Sequence, residues 1–369
     1  MALDDRLTTL QHHLRKRGYD AALLYPGPNL FYWTGFYGEP LDRHLLFVVP
    51  AEGEREPWFV TPRKSLDQIR ENARVQRTDV VDANDPEAVA IRVAESFDTD
   101  DPTIALDDRM PFGVVQPLRQ HIDDGTFESV SPITTELRIR KDRGEIDALR
   151  RSATIADEVS EAIRSLGEEA VGMTEAELAA VIRAHLHRKG GTRLSFDVVV
   201  ASGPNAARPY YRHGDRTIDA GDPVILDFGT FFDGYASDQT RTVVFSGDPP
   251  PSFEAAYDAV LDAFEAGVDA VEPGRLVETI DHIVESTIGE HGFAAQLVHA
   301  TGHGVGVEAH EPPSVEDGNR RTLEPGMVFS IEPGLYVEGE FGVRLEDLVV
   351  VTDEGCERLN RSPKGWRPL

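Results

Sequence analysis

Residues 299–311, HATGHGVGVEAHE, place three histidines (His299, His303 and His310) and two glutamates among three glycines. Titratable side chains on a segment with so little packing volume suit the holding or protonation of a ligand better than the building of a core. What they can do depends on the groups the rest of the chain brings to them.

Two hairpins bring acids. In PVILDFGTFFDGYASDQTRTVVF (223–245), strand-like runs flank Asp233-Gly234, a strong two-residue turn signal. With that turn Phe232 pairs with Tyr235 and Asp227 lies opposite Thr240. Asp238 shares the face of Asp227 on the diagonal, about 7–8 Å away between backbones. In the second hairpin, VFSIEPGLY (328–336) and VRLEDLVVV (343–351) are symmetric about Gly339, so Glu332 and Glu346 are expected as cross-strand neighbours.

A carboxylate inside an apolar strand costs several kcal/mol unless it is paired, and like charges facing each other destabilise a hairpin. One such acid is readily explained by a solvated face, or by pairing with nearby Arg241 or Arg344. Four acids in two hairpins, each flanked by Val, Ile, Leu or Phe, are better explained by a cation that neutralises them together. Carboxylates with an imidazole suit Mn²⁺, Co²⁺, Fe²⁺ or Zn²⁺. Four carboxylates exceed the needs of one catalytic zinc and suggest two metals sharing acids. One of the three histidines would complete the metal shell, the others serving as proton donors or orienters of substrate. The glycines would let backbone and substrate approach closely.

These segments need a scaffold. A chain of 369 residues exceeds the usual single-domain size, so two domains are expected. AALLY (21–25), HLLFVVP (44–50), WFVTP (58–62) and TIALDD (103–108) read as strands, with helical spacing at 63–74 and 86–97. That describes an α/β domain over 1–135, with no cluster of acids and histidines. A helical stretch over 137–166 opens the second domain, 136–369, and SPITT (131–135) interrupts the pattern at the boundary. A further helix over 173–190 has Thr174 as N-cap and Gly190 as stop. Strands follow over 196–246, helices near 252–270 and 276–291, and strands again to 351. The second domain carries an internal repeat. Gly221 precedes Asp227 by six residues in DAGDPVILDFG, and Gly326 precedes Glu332 by six in LEPGMVFSIEPG.

Composition limits the partners. The net charge is -28, and of 37 basic residues only Lys16, Lys64, Lys141, Lys189 and Lys364 are lysines. An acidic, lysine-poor surface suits a halophilic cytoplasm, where counterions screen self-repulsion. It argues against nucleic acid, which needs a basic face. Cys356 stands alone, so no intrachain disulfide or cysteine-based metal cluster can form. No apolar run has the length of a signal peptide or membrane span, so a soluble, cytoplasmic protein is expected. His12, His13, His44 and His121 read as surface residues, and His185 and His187 as a solvated helix face. GHGVG lacks the spacing and lysine of a phosphate loop.

Together, VILDFG…SDQTRT, HATGHGVGVEAHE, IEPG and GVRLED resemble the metal-dependent pita-bread peptidases: Xaa-Pro dipeptidases (prolidases), aminopeptidases P and methionine aminopeptidases. NLFYWTGF (30–37) is similar to the signature of their creatinase-type N-terminal domain, and LRIRKDRGEI to the start of their catalytic domain. The resemblance covers the whole chain. It implies an α/β creatinase-like domain followed by a mixed α and β pita-bread domain with a pseudo-twofold repeat. It implies two divalent ions, Mn²⁺ or Co²⁺ first and Zn²⁺ or Fe²⁺ as alternatives, on Asp227, Asp238, His303, Glu332 and Glu346. Asp238 and Glu346 would bridge both ions, which would activate a water for attack on the scissile carbonyl. Glu332 would double as proton shuttle, His310 would meet the substrate, and His299 and Arg344 would complete the substrate contacts. The implied activity is cleavage of Xaa-Pro bonds in short proline-containing peptides by a homodimer. One position departs from the pattern: the family's usual substrate-binding histidine is replaced by Tyr210, with His213 three residues on as a possible stand-in. Two rivals remain, a hydrolase of a small non-peptide C–N substrate such as creatine or ectoine, and an inactive binding relative. The intact ligand set disfavours a creatinase and the binding relative.

Overall fold

Ala21–Leu24 is buried along its whole length and sits centrally in a six-stranded sheet. In the order of the sheet the strands are Thr78–Val81, Trp58–Pro62, Leu46–Pro50, Ala21–Leu24, Thr103–Leu106 and Thr126–Ser129. Ala21–Leu24 runs antiparallel to Leu46–Pro50 and parallel to Thr103–Leu106. The structure, a computed structural model, describes residues 3–38, 45–51, 56–74, 78–81 and 85–368; His44 lies outside them. The chain divides into two compact units, Met1–Arg138 and Ile139–Leu369.

The first unit is the α/β domain expected from its apolar runs, and the helices Leu66–Asn72 and Pro86–Ala94 fall where helical spacing places them. Two outer strands escape the pattern. Thr126–Ser129 has no fully buried residue, so it carries no apolar run. SPITT needs correcting: it begins the helix Ser131–Arg138 rather than interrupting the pattern. Pro132 lies in the first turn, where its missing N–H costs nothing.

In the second unit the expected helix over 137–166 is broken. Arg140 forms a β-bridge with Met327, and the Lys141 N–H donates to the Gly326 carbonyl at 2.7 Å. The helix proper, Arg143–Arg164, starts at Asp142, which forms a capping box with Glu145. Helical periodicity cannot reveal a bridge to a partner so distant in sequence. Thr174 caps Glu175–Arg188 in a second capping box, and Gly190 follows the C-terminus at φ 104°.

Each half of this unit packs two helices on a sheet. Arg143–Arg164 and Glu175–Arg188 share an apolar core with the strands Gln239–Val243, Val224–Phe228 and Val199–Ser202. Phe253–Asp269 and Val277–Glu290 do the same with five strands, in the order Glu311–Val315, Gly302–Gly304, Val328–Ile331, Asp347–Val351 and Cys356–Arg358. Both halves enter their acid-bearing strand through a left-handed glycine, Gly221 at φ 88° and Gly326 at φ 90°, which a side chain would strain. The repeat inferred from sequence is therefore a structural one.

Candidate metal centre

The first hairpin has the expected register. Phe232 pairs with Tyr235 across Asp233-Gly234, and Asp227 faces Thr240. Asp233 and Gly234 have φ of 48° and 81°, as a two-residue turn matched to the strand twist requires. In the second hairpin Ile331 pairs with Asp347 and Gly334 with Arg344, a register that sets Glu332 opposite Glu346. Between those pairs the backbone turns to other partners. The Glu346 N–H donates to the Thr240 carbonyl at 3.1 Å, and the Glu332 N–H to the Thr301 carbonyl at 2.8 Å. These two bonds tie the second hairpin to the first and to the histidine strand at the acids themselves.

Side chains converge there. His303 Nε2 lies 3.1 Å from Glu332 Oε1 and 3.7 Å from Asp238 Oδ2. Asp238, His303 and Glu346 offer ligand atoms all within 4.8 Å of one another. His303 Nδ1 donates to the Gly304 carbonyl at 3.2 Å, which directs Nε2 at the acids, the usual posture of a metal-ligating imidazole. Ser330 Oγ donates to Glu332 Oε1 at 3.1 Å and accepts from the His303 N–H at 3.0 Å.

Among the described residues, the cations that meet this set are Arg344 and His303. Burial pushes the Asp238 and Glu346 carboxyls well above the ordinary range, helped for Asp238 by Glu346 and for Glu346 by Glu332. Burial also raises Asp227, against the opposing pull of Arg344. Glu332 goes the other way: burial disfavours its charge, but the hydrogen bond and charge of His303 hold it at about 2. Burial alone would lower His303, yet Glu332 raises it on balance. Asp227 Oδ1 and Glu346 Oε1 are buried without a hydrogen-bond partner. Orphaned carboxylate oxygens beside an imidazole aimed at them fit divalent cations by donor chemistry.

The remaining candidates separate. His310 stacks on His303, ring centroids 3.7 Å apart, and burial and then the His303 charge lower its pKa. His299 Nδ1 donates to the Ala300 carbonyl at 2.8 Å, so Nε2 accepts from the Tyr336 hydroxyl at 2.9 Å. Arg344 is not free for substrate as expected. Its nitrogens reach Asp227 Oδ2 at 2.6 Å, the Tyr336 hydroxyl at 2.8 Å and Thr240 Oγ1 at 3.2 Å, because a buried guanidinium must place its donors on protein acceptors. Arg241 serves none of the four acid side chains; it binds Asp347 and the carbonyls of Glu346 and Ser362. Tyr210 is 94% exposed and is not presented to the acids. Its neighbour Tyr211 turns inward instead and donates to Glu175 at 2.7 Å, its pKa raised to about 12 by burial and then by that carboxylate. His213 sits 2.6 Å from Arg183, an interaction that holds its ring on the helix.

Thr240, Ser330 and Tyr336 were not singled out from sequence. Thr240 was identifiable, since the hairpin register sets it opposite Asp227 and its hydroxyl donates to Glu346 at 2.7 Å. Tyr336 had no signal, because its partner His299 comes from a separate segment and Arg344 was read in other roles. The histidine-strand glycines answer to backbone rather than ligand. A Cβ on Gly302 would overlap the Ser330 carbonyl oxygen on the adjacent strand. Gly302→Ala should therefore cost about 2 kcal/mol through overpacking, read as a lower Tm; an unchanged Tm would show that the strands can part freely.

Buried carboxylates and an imidazole, gathered on two similar halves with unsatisfied oxygens, define a metal-dependent hydrolase by class. Residues 147–353 match metallopeptidase family M24, and residues 6–140 match the creatinase/prolidase N-terminal domain. The chain belongs to metallopeptidase family M24 and is a peptidase. It is similar to a Mycobacterium tuberculosis protein named "Probable dipeptidase PepE", 34% identical over 94% of this chain and 91% of the relative. Among solved structures it resembles a prolidase from Thermococcus sibiricus at TM-score 0.93 and 34% identity over 100% of both chains. An Xaa-Pro dipeptidase from Bacillus anthracis superposes at TM-score 0.90 with 29% identity, again over 100% of both. The creatinase-type domain followed by a pita-bread catalytic domain, inferred from sequence, is the fold observed. Among the described residues no helix is long and apolar enough to cross a membrane.

Proposed function

We propose that this chain hydrolyses the Xaa-Pro bond at the N-terminus of dipeptides or short peptides, using two divalent cations held by Asp227, Asp238, His303, Glu332 and Glu346. The observation that carries the reading is the pair of buried oxygens without a hydrogen-bond partner among the described residues, Asp227 Oδ1 and Glu346 Oε1, at a site where Asp238, His303 and Glu346 cluster and Glu332 meets His303 Nε2. The relatives named prolidase and Xaa-Pro dipeptidase support the choice of proline substrates. Bound divalent cations supply Lewis-acid activation of water and of the scissile carbonyl.

The protein's own groups do the rest. Glu332 accepts the proton of the attacking water and passes it to the leaving nitrogen. Ser330 Oγ orients it through a hydrogen bond to Oε1 at 3.1 Å. His310, whose pKa is lowered by burial and then by the neighbouring His303, donates to the carbonyl oxygen as negative charge develops there. Both ring nitrogens of His299 are held, by the Ala300 carbonyl and the Tyr336 hydroxyl, so it supports the wall of the site and does not bond the peptide. The net charge of -28 with so few lysines supports a salt-adapted, cytoplasmic enzyme.

The test is a substrate panel at multimolar KCl, comparing metal-stripped protein with protein restored by Mn²⁺ or Co²⁺. Xaa-Pro dipeptides, Xaa-Pro-Xaa tripeptides, Xaa-Ala controls and ectoine are compared. Cleavage of the proline substrates only after metal is restored is expected. Equal rates on Xaa-Ala would remove proline specificity, and turnover of ectoine alone would overturn the peptide reading.

A further inference from the structure

Lys141 and Glu311 form an ion pair at 2.8 Å with side chains only 1% and 3% exposed. In a chain that has five lysines, one is enclosed in the protein interior. A buried pair of this kind contributes little net stability, because desolvating both charges offsets their attraction. Its location is more informative. Lys141 lies in the segment that breaks the expected helix, and its N–H is fixed to the Gly326 carbonyl at 2.7 Å. Glu311 directly follows His310 and pairs with Gly304, beside His303, across the irregular ladder between their strands. Its carboxylate lies where a side chain on Gly306 would fall, and the Gly306 carbonyl accepts the Ala236 N–H at 2.8 Å, two residues before Asp238.

We propose that the Lys141–Glu311 pair positions His310. The ammonium holds the Glu311 carboxylate against the 304–311 loop, and that fixes the backbone from which the His310 ring stacks on His303. Lys141 is a positioning residue for peptide hydrolysis, acting through His310 without touching substrate. The inference rests on the reading of His310 as the donor to the reacting carbonyl.

The test combines neutralisation of the pair with removal of the imidazole. Lys141→Met alone removes the ammonium that faces the buried Glu311 carboxylate, so Tm falls. Lys141→Met with Glu311→Leu removes both charges and brings Tm back. In that double variant kcat on an Xaa-Pro dipeptide stays about tenfold low, as expected for a misplaced group, while KM and metal content hold. In a His310→Ala background the same double change lowers kcat by less than about twofold, since the group it positions is gone. Glu311→Asp, which keeps the charge but shortens the side chain, serves if the double variant does not fold, and lowers kcat about threefold with metal content intact. Recovery of kcat together with Tm, full kcat in Glu311→Asp, or a tenfold loss that persists without His310 would each overturn the inference. Wild-type kcat in His310→Ala alone would instead overturn the reading of His310, and the inference with it.

Discussion

Asp238→Asn lowers kcat/KM for peptide hydrolysis by about a thousandfold, the equivalent of about 4 kcal/mol of transition-state stabilisation. The amide matches the carboxylate in shape but brings no charge. Asp238 is buried within reach of His303 Nε2, and its carboxyl is raised well above its ordinary range by burial and by Glu346. The change removes a proposed metal ligand and, in the metal-free protein, an unfavourable charge. Activity and stability should therefore move apart. Metal content falls, while the Tm of the stripped variant equals or exceeds that of the stripped wild type. A variant that melts lower without metal and retains activity with it would show Asp238 to be structural.

Removing the metals is the second large effect, and it depends on pH. In the folded metal-free protein Asp227, Asp238 and Glu346 have raised pKa values, so the folded state binds more protons than the unfolded state above the ordinary carboxylate range. Their favourable contribution is complete below that range and is lost as pH rises. His303 is raised as well and acts in the same direction above its ordinary value. Glu332, at about 2, contributes stability above the carboxylate range that is lost only as pH falls toward 2, so it is constant near neutrality. Stripped protein should lose stability from about pH 5 to pH 8 by linkage. Metal requires deprotonated ligands, so its affinity rises over the same interval. Free metal at about a thousand times Kd adds about 4 kcal/mol, or about 10 °C in a unit of this size. Melting curves at both pH values should show the gap between loaded and stripped protein widening as pH rises. Parallel curves would mean that the acids do not titrate with the metal.

The second hairpin shows how far local sequence reaches. Symmetry about Gly339 set Glu332 opposite Glu346, and the pairs on either side hold that register. A hairpin's register is a local matter of turn length and strand period. Arg344 shows the limit. It was expected among the substrate contacts, with pairing to a nearby acid as the alternative, and the alternative holds: its partners are Asp227, Thr240 and Tyr336, on strands that only the packed unit brings together.

By itself the sequence determined most of the elements, the two hairpins with their four acids, the histidine strand and the repeat. Each depends on short-range periodicity, turn chemistry or the cost of an acid in an apolar run. Tertiary structure decided which way the side chains of the 203–214 loop face, placing Tyr211 on Glu175 and leaving Tyr210 in solvent. It also broke the helix at Lys141 to pair it with Glu311 and committed Arg344 to the interior. Those outcomes depend on partners far apart in sequence, as Lys141 is from Glu311 and Arg344 from Asp227. A buried charge takes whichever partner the packing supplies, and that choice is made only once the strands have assembled.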